Sequence, residues 1–185
     1  MRNILLPALA LIALAACNIF GLRDSEPPSE EAEWNNFATT LDLALDNLRY
    51  AYEDPRNAIN YGRIFLNDYV FYFAQQDITD YSTDAQWTSA QEQDMLLNLQ
   101  ANYKNISLHM EPMDTEDEIY PDEAKLSRSY EIKARNDNED IESTIAQGRM
   151  ELHYHRQNGY WYIYRWRDYR SSGERTWGLL KHENG

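Results

Sequence analysis

From Trp34 onward, apolar residues recur every three or four positions. Trp34, Phe37, Leu41, Ala44, Leu45, Leu48 and Tyr52 form one stripe, which predicts a helix ending near Glu53. Asp54-Pro55 then supplies an N-cap and a first-turn proline, opening a second helix to about Leu66 with Ala58, Tyr61, Gly62 and Phe65 inward. Asn67-Asp68 turns the chain into a β-prone aromatic run, Tyr69 to Phe73. A polar loop from Gln75 to Gln86 ends at Trp87, and Ser89-Ala90-Gln91-Glu92 fits a capping box for a third helix carrying Met95, Leu96, Leu99 and Tyr103. Beyond it the period changes to two. Ile106, Leu108 and Met110 alternate, as do Leu126, Tyr130, Ile132 and Ala134. Helices followed by an antiparallel meander make an α+β order.

The stretch Ile141 to Arg170 reads as one long β-hairpin. Asn158-Gly159 readily adopts two consecutive positive φ angles, which suit the twist of paired strands. A two-residue turn sets Gln157 opposite Tyr160, Arg156 opposite Trp161, Tyr154 opposite Ile163, Leu152 opposite Arg165 and Arg149 opposite Asp168. Both faces carry large apolar area, so each is expected to be covered.

The N-terminus has a different character. Arg2, the apolar run Ile4 to Ala16 and the small residues before Cys17 look like an export signal, too short to cross a bilayer, which takes about 20 apolar residues. Leu14-Ala15-Ala16-Cys17 resembles the lipobox of bacterial lipoproteins. That resemblance implies cleavage before Cys17, acylation of that residue, a membrane as partner, and residence in the cell envelope, on the outer membrane facing the periplasm if the cell has one. An ordinary secretory cut near Ala13-Leu14-Ala15 is the alternative. Residues 1–16 are thus read as signal, 17–33 as an acidic, proline-containing tether, and 34–185 as the folded domain.

Cys17 is the sole cysteine, so an intramolecular disulfide and Cys-based metal sites are excluded. A formal net charge of −14 argues against nucleic acid as a partner. The acidic stretch Glu111 to Glu123 lacks glycine and the spacing of a calcium loop, and Asp137-Asn138-Glu139-Asp140 fails the same test. His153 and His155 share one strand face at i, i+2, but Tyr162 and Tyr164 opposite them explain the pair as stacking partners. No metal or cofactor is expected.

The helices around Tyr50-Ala51-Tyr52-Glu53-Asp54, the strand Asp68-Tyr69-Val70-Phe71-Tyr72-Phe73, Trp87 before the third helix and Gly159-Tyr160-Trp161-Tyr162-Ile163 resemble the nuclear transport factor 2-like (SnoaL-like, cystatin-like cone) superfamily, and within it a group of bacterial lipoproteins of unassigned function. The resemblance implies three helices in the N-terminal half packed on a strongly curved antiparallel sheet that encloses a pocket, and often a dimer through the outer sheet face. Steroid isomerase relatives place a general-base carboxylate where this chain has Tyr72 or Phe73, and neither abstracts a proton at neutral pH.

The resemblance also turns Trp161 and Ile163 inward, and Arg165 and Arg167 would follow on the same face. The expected pocket is therefore lined by Tyr61, Phe73, Trp87, Trp161 and Arg165 and takes a small amphipathic ligand with an acidic end. The alternative is an internal pair of Arg165 with Asp42, Asp46 or Glu53. Tyr162, Tyr164 and Trp166 would form the convex face, available to a second copy or another protein unless Trp177-Gly178-Leu179-Leu180 folds back over it. Three functions follow: a noncatalytic ligand- or partner-binding lipoprotein, a cone-fold isomerase, dehydratase or hydrolase, and a structural assembly factor. An inward carboxylate beside Trp87 would favour the enzyme. A closed, filled cone would favour the structural role.

Overall fold

Thr40, rather than Trp34, starts the first helix. In the computed structural model, which describes residues 31–136, 141–171 and 175–185, α1 runs Leu41–Glu53 and the Thr40 hydroxyl accepts from the Leu43 N–H at 3.3 Å. Residues 34–40 do not extend this helix because Asn35 and Asn47 exchange two bonds, N–H to Oδ1 at 2.8 Å and Nδ2 to the carbonyl at 2.9 Å, which fasten the segment alongside it. The signal, Cys17, most of the tether and the acidic run 137–140 lie outside the described residues. Ala32–Gly185 forms one compact unit, and no described helix is long and apolar enough to cross a membrane.

Asp54 caps the next turn, accepting from the Arg56 N–H at 2.9 Å. The predicted helix to Leu66 is broken into a 3-10 turn (Pro55–Asn57), α2 (Ala58–Tyr61) and a second 3-10 turn (Gly62–Ile64) that leads into β1 (Phe65–Tyr72). α3 (Gln75–Tyr81) replaces the expected polar loop, and tertiary contacts anchor it. Its Asp77 is fully buried and accepts from the Arg170 Nε at 2.9 Å and from the Thr176 hydroxyl. Then come β2 (Gln86–Thr88), α4 (Ser89–Asn102), β3 (Tyr103–Pro112), β4 (Glu118–Ile119), β5 (Glu123–Asn136), β6 (Glu142–Gln157), β7 (Tyr160–Tyr169) and α5 (Trp177–Asn184). The acidic stretch before β5 is organised by Asp117, which forms a bidentate pair with Arg128 at 2.7 and 2.8 Å.

The strands form one sheet in the order β2-β1-β7-β6-β5-β3, with β4 beside β5; β1 and β7 are parallel and the other pairs antiparallel. Asn158 and Gly159 take φ of 53° and 86°, the left-handed pair the hairpin turn demands. Pairing follows the expected register from Gln157↔Tyr160 to Tyr154↔Ile163. It then slips by one residue, giving His153↔Arg165, Leu152↔Trp166 and Met150↔Asp168. This β-bulge puts two adjacent residues, Tyr164 and Arg165, on the outer face. Beyond it the alternation inverts. Trp166 and Asp168 are buried, while Arg165 and Arg167 are half-buried on the opposite side.

Two expectations are corrected by this slip. Arg165 does not enter the interior, because its neighbours Val70 and His153 stand on the outer face while Phe71 and Leu152 stand with Trp166 on the inner one. Trp166 is not convex but fully buried. Arg149 accordingly faces Tyr169, not Asp168. Asp46 and Glu53, considered as partners of Arg165, instead pair with Arg49 on α1.

The inner face of the sheet shares one core with the helices, in which Leu48, Tyr52, Met95, Leu99, Ile132 and Ile163 are all within 1 % of full burial. α5 enters this core. Trp177 meets Trp166 edge-on at 4.5 Å and packs on Tyr52 and Tyr130 at 5.0 Å each.

Candidate functional site

Among the described residues, three carboxylates point into the molecule, and each is met by α5 or the residue before it. Glu92 comes from the first turn of α4. The capping box that starts this helix uses Thr88 and Gln91, one position earlier than Ser89 and Glu92, and Gln91 Oε1 accepts from the Thr88 N–H at 2.8 Å. That shift frees Glu92 to turn inward, where it is fully buried. Its Oε1 accepts from the Tyr69 hydroxyl at 2.7 Å and the Trp87 indole N–H at 3.1 Å; its Oε2 accepts from the Tyr61 hydroxyl at 2.8 Å.

Lys181 of α5, equally buried, completes the set. Its ammonium donates to both Glu92 oxygens, at 2.5 Å to Oε1. The same nitrogen lies 4.2 Å from the Trp166 ring centre, 4.4 Å from that of Phe71 and 5.8 Å from that of Trp87. Burial pulls the Lys181 pKa below its ordinary value and Glu92 opposes that pull. The Tyr61 and Tyr69 phenols are pushed well above the usual range, first by burial and then by the charge of Glu92. They serve as donors, not as bases.

Asp168 of β7 is the second carboxylate. It accepts from the Tyr130 hydroxyl at 2.7 Å and from the N–H groups of Gly178 at 2.6 Å and Tyr169 at 3.1 Å. Tyr130 in turn accepts from the Trp177 N–H at 2.7 Å, so the start of α5 is stitched to β5 and β7. Burial raises Asp168 to about 6 despite these bonds. Gly178 permits the approach, since a Cβ there would lie 3.1 Å from both Asp168 Oδ2 and Phe73 Cδ1. Asp77, paired with Arg170 and Thr176, is the third. Trp177 adds an indole N–H bond to the Tyr52 hydroxyl at 2.8 Å.

Of the residues read from the sequence as pocket lining, Tyr61 and Trp87 meet at Glu92, and Phe73 packs on Trp87 at 5.4 Å. Trp161 is buried elsewhere, against residues 34–38, where its N–H donates to the Ala38 carbonyl at 2.9 Å beside a cavity of about 70 Å³ lined by Trp34, Ala38, Tyr154 and others. Tyr162 and Tyr164 are half-buried on the outer face with Arg165, which lies over Tyr164 at 5.5 Å. His153 meets Tyr164 edge-on at 5.9 Å, and no described group of three His, Cys, Asp or Glu is placed to hold a metal ion. Hollows of about 300, 350 and 360 Å³ border α1 and β3, β4 to β6, and α4 and β3; Glu92, Asp168 and Lys181 line none of them.

No protein-family profile and no curated protein matches the sequence. Solved structures do. The beta subunit of a candidate aromatic-ring-hydroxylating dioxygenase from Novosphingobium aromaticivorans superposes with a TM-score of 0.57 at 13% identity, over 78% of this chain and 95% of that one. A candidate scytalone dehydratase from the same organism gives 0.56 at 13% identity over 74% and 90%, and the Kfla4162 protein from Kribbella flavida 0.56 at 9% over 75% and 91%. The fold is the nuclear transport factor 2-like cone. At such identities the likeness is one of fold.

Within this cone, the position that the steroid isomerase resemblance assigns to a base holds Phe73, buried, and Tyr72, half-buried on the outer face. The inward carboxylate beside Trp87 exists, as Glu92, but so does the filled interior. Glu92, Asp168, Lys181, Tyr69 and Tyr130 were not singled out as site residues from the sequence. Glu92 read as a cap, Asp168 as a cross-strand partner of Arg149, and nothing in the local pattern marks Lys181 as buried.

Proposed function

We propose that this protein is a lipid-anchored component of the bacterial cell envelope, tethered through Cys17, that binds an acidic protein partner on the outer face of its cone and performs no catalysis. The observation that carries the noncatalytic reading is the closure of the cone by α5, which leaves each inward carboxylate bonded to a donor and none facing open space. A general base needs access to a substrate proton. Here Glu92 has Lys181 in that place. The enzyme reading therefore requires α5 to leave.

The outer face supplies what the interior lacks. Arg165 stands beside His153, which burial and Arg165 hold toward its neutral form, and beyond it Lys125 pairs with Glu118, so the charge this face offers is that of the two arginines, Arg165 and Arg167. Arg167 lies over Tyr72 at 4.6 Å. Neither Arg165 nor Arg167 has a described carboxylate within ion-pair distance, since Glu151 opposite Arg167 accepts instead from the Tyr169 hydroxyl at 2.9 Å. Half-buried guanidinium groups flanked by tyrosines favour an acidic partner. A two-fold dimer through this face would set the same cations against their own copies, which costs affinity.

The test is photocrosslinking in cells from a benzophenone amino acid at Tyr164, with exposed Ile59 as the control position. The expected outcome is a discrete adduct from position 164 only, lost when Arg165 and Arg167 are changed to Glu. An adduct of twice the chain mass would identify a homodimer in place of the acidic partner. Equal, diffuse labelling from both positions would overturn the outer-face reading.

A further inference from the structure

The interior around Glu92 is assembled from two separable sets of groups. The wall consists of Tyr61, Tyr69, Trp87 and Glu92, with the ring faces of Phe71 and Trp166 beside them; the occupant is Lys181, carried by the last helix. A carboxylate offers about four acceptor sites. Three are taken by wall donors, none of which cancels the negative charge. What remains is the side of Glu92 from which one nitrogen reaches both oxygens, bounded by aromatic faces at 4.2, 4.4 and 5.8 Å from the nitrogen that lies there. A carboxylate within a ring of aromatic faces is the arrangement that selects compact organic cations. An anion is excluded by Glu92 and the neighbouring Asp168, and a neutral alcohol would leave the buried charge unbalanced.

We propose that the cone is a receptor site for a primary alkylammonium group, and that the chain's own α5 fills it in cis with Lys181. This goes beyond the reading of the outer face and does not depend on it. The site so read takes an amine, where an inward Arg165 would have suited an acidic end.

Truncating Lys181 at Cβ supplies the test. Lys181→Ala removes three methylenes and the ammonium, and n-propylammonium restores those heavy atoms one for one. The full chain carrying Lys181→Ala is melted with n-propylammonium chloride, with 1-propanol, and with sodium chloride at matched ionic strength. A saturable rise in midpoint of about 5–10 °C is expected at roughly a hundredfold excess of amine over half-saturation, with no comparable rise in wild type. If the variant does not fold in plain buffer, recovery of its near-ultraviolet circular dichroism on refolding in amine becomes the readout, and folding is expected with the amine alone. Adding Glu92→Gln to Lys181→Ala should abolish the amine response. An alcohol as effective as the amine, no response to either, or a response that survives Glu92→Gln would each overturn the proposal.

Discussion

Asp168 makes the stability of this protein depend on pH in the direction opposite to an ordinary paired carboxylate. Its pKa is raised from 3.8 to about 6 by complete burial, so the folded state holds its proton more tightly than the unfolded chain does. The stabilisation linked to that proton is fully present below pH 3.8 and is lost as pH rises through about 6. A shift of this size corresponds to about 3 kcal/mol in total, and about 2 kcal/mol of it falls between about pH 4.5 and about pH 7. Asp168→Asn cannot titrate. Its fixed cost, from setting an amide against the Gly178 N–H and the Tyr130 hydroxyl, is the same at every pH and cancels in the comparison. Urea unfolding of wild type and variant across this range should therefore show the stability difference, wild type minus variant, falling by about 2 kcal/mol as pH rises. Carboxylates that do not interact with Asp168 titrate alike in both proteins and drop out of the difference. Parallel curves, or a difference that grows with pH, would refute the burial argument.

The Glu92–Lys181 pair should behave as a unit. Lys181→Met or Glu92→Gln alone is expected to cost about 3–5 kcal/mol for Met and less for Gln, while the double variant recovers most of that loss, because an apolar filling removes the uncompensated charge; additive losses in a denaturant double-mutant cycle would show that the two are not coupled. Gly159→Ala should lower the urea midpoint by the equivalent of roughly 1 kcal/mol, since φ there is 86°. An unchanged midpoint would show that the turn relaxes freely.

Much of the order of elements is legible from periodicity, because most elements keep one face in the core. The β5 alternation of Leu126, Tyr130, Ile132 and Ala134 and the Asn158-Gly159 turn survive intact. What was illegible depends on contacts far along the chain. Trp34 and Phe37 continue the α1 stripe, yet Asn47 captures Asn35 and ends the helix at Thr40. Gln75–Tyr81 is polar, and it is helical around an aspartate held by Arg170 and Thr176, more than ninety positions on. Ser89 and Glu92 have the spacing of a capping box, and a competing box one residue earlier fits equally well. Trp177-Gly178-Leu179-Leu180 reads as a cover for some apolar face; that it enters the concave side follows from Asp168 accepting the Gly178 N–H and Glu92 taking Lys181. In β7, aromatic residues occupy both parities, so composition could not reveal the slip in register.

That slip makes parity, rather than residue content, the carrier of chemistry in the second half of β7. Deleting one position at Tyr164 would remove the extra residue and leave Trp166 and Asp168 inward, opposite Leu152 and Met150, whereas a strand that kept every residue but lost the kink would bring two guanidinium groups into a space that now holds an indole and a carboxylate. Two chains of this shape that differ by a single residue at this place would present the same surfaces, while an alignment with no gap there would match inward positions of one with outward positions of the other. Comparison between them has to be anchored separately on each side of the kink.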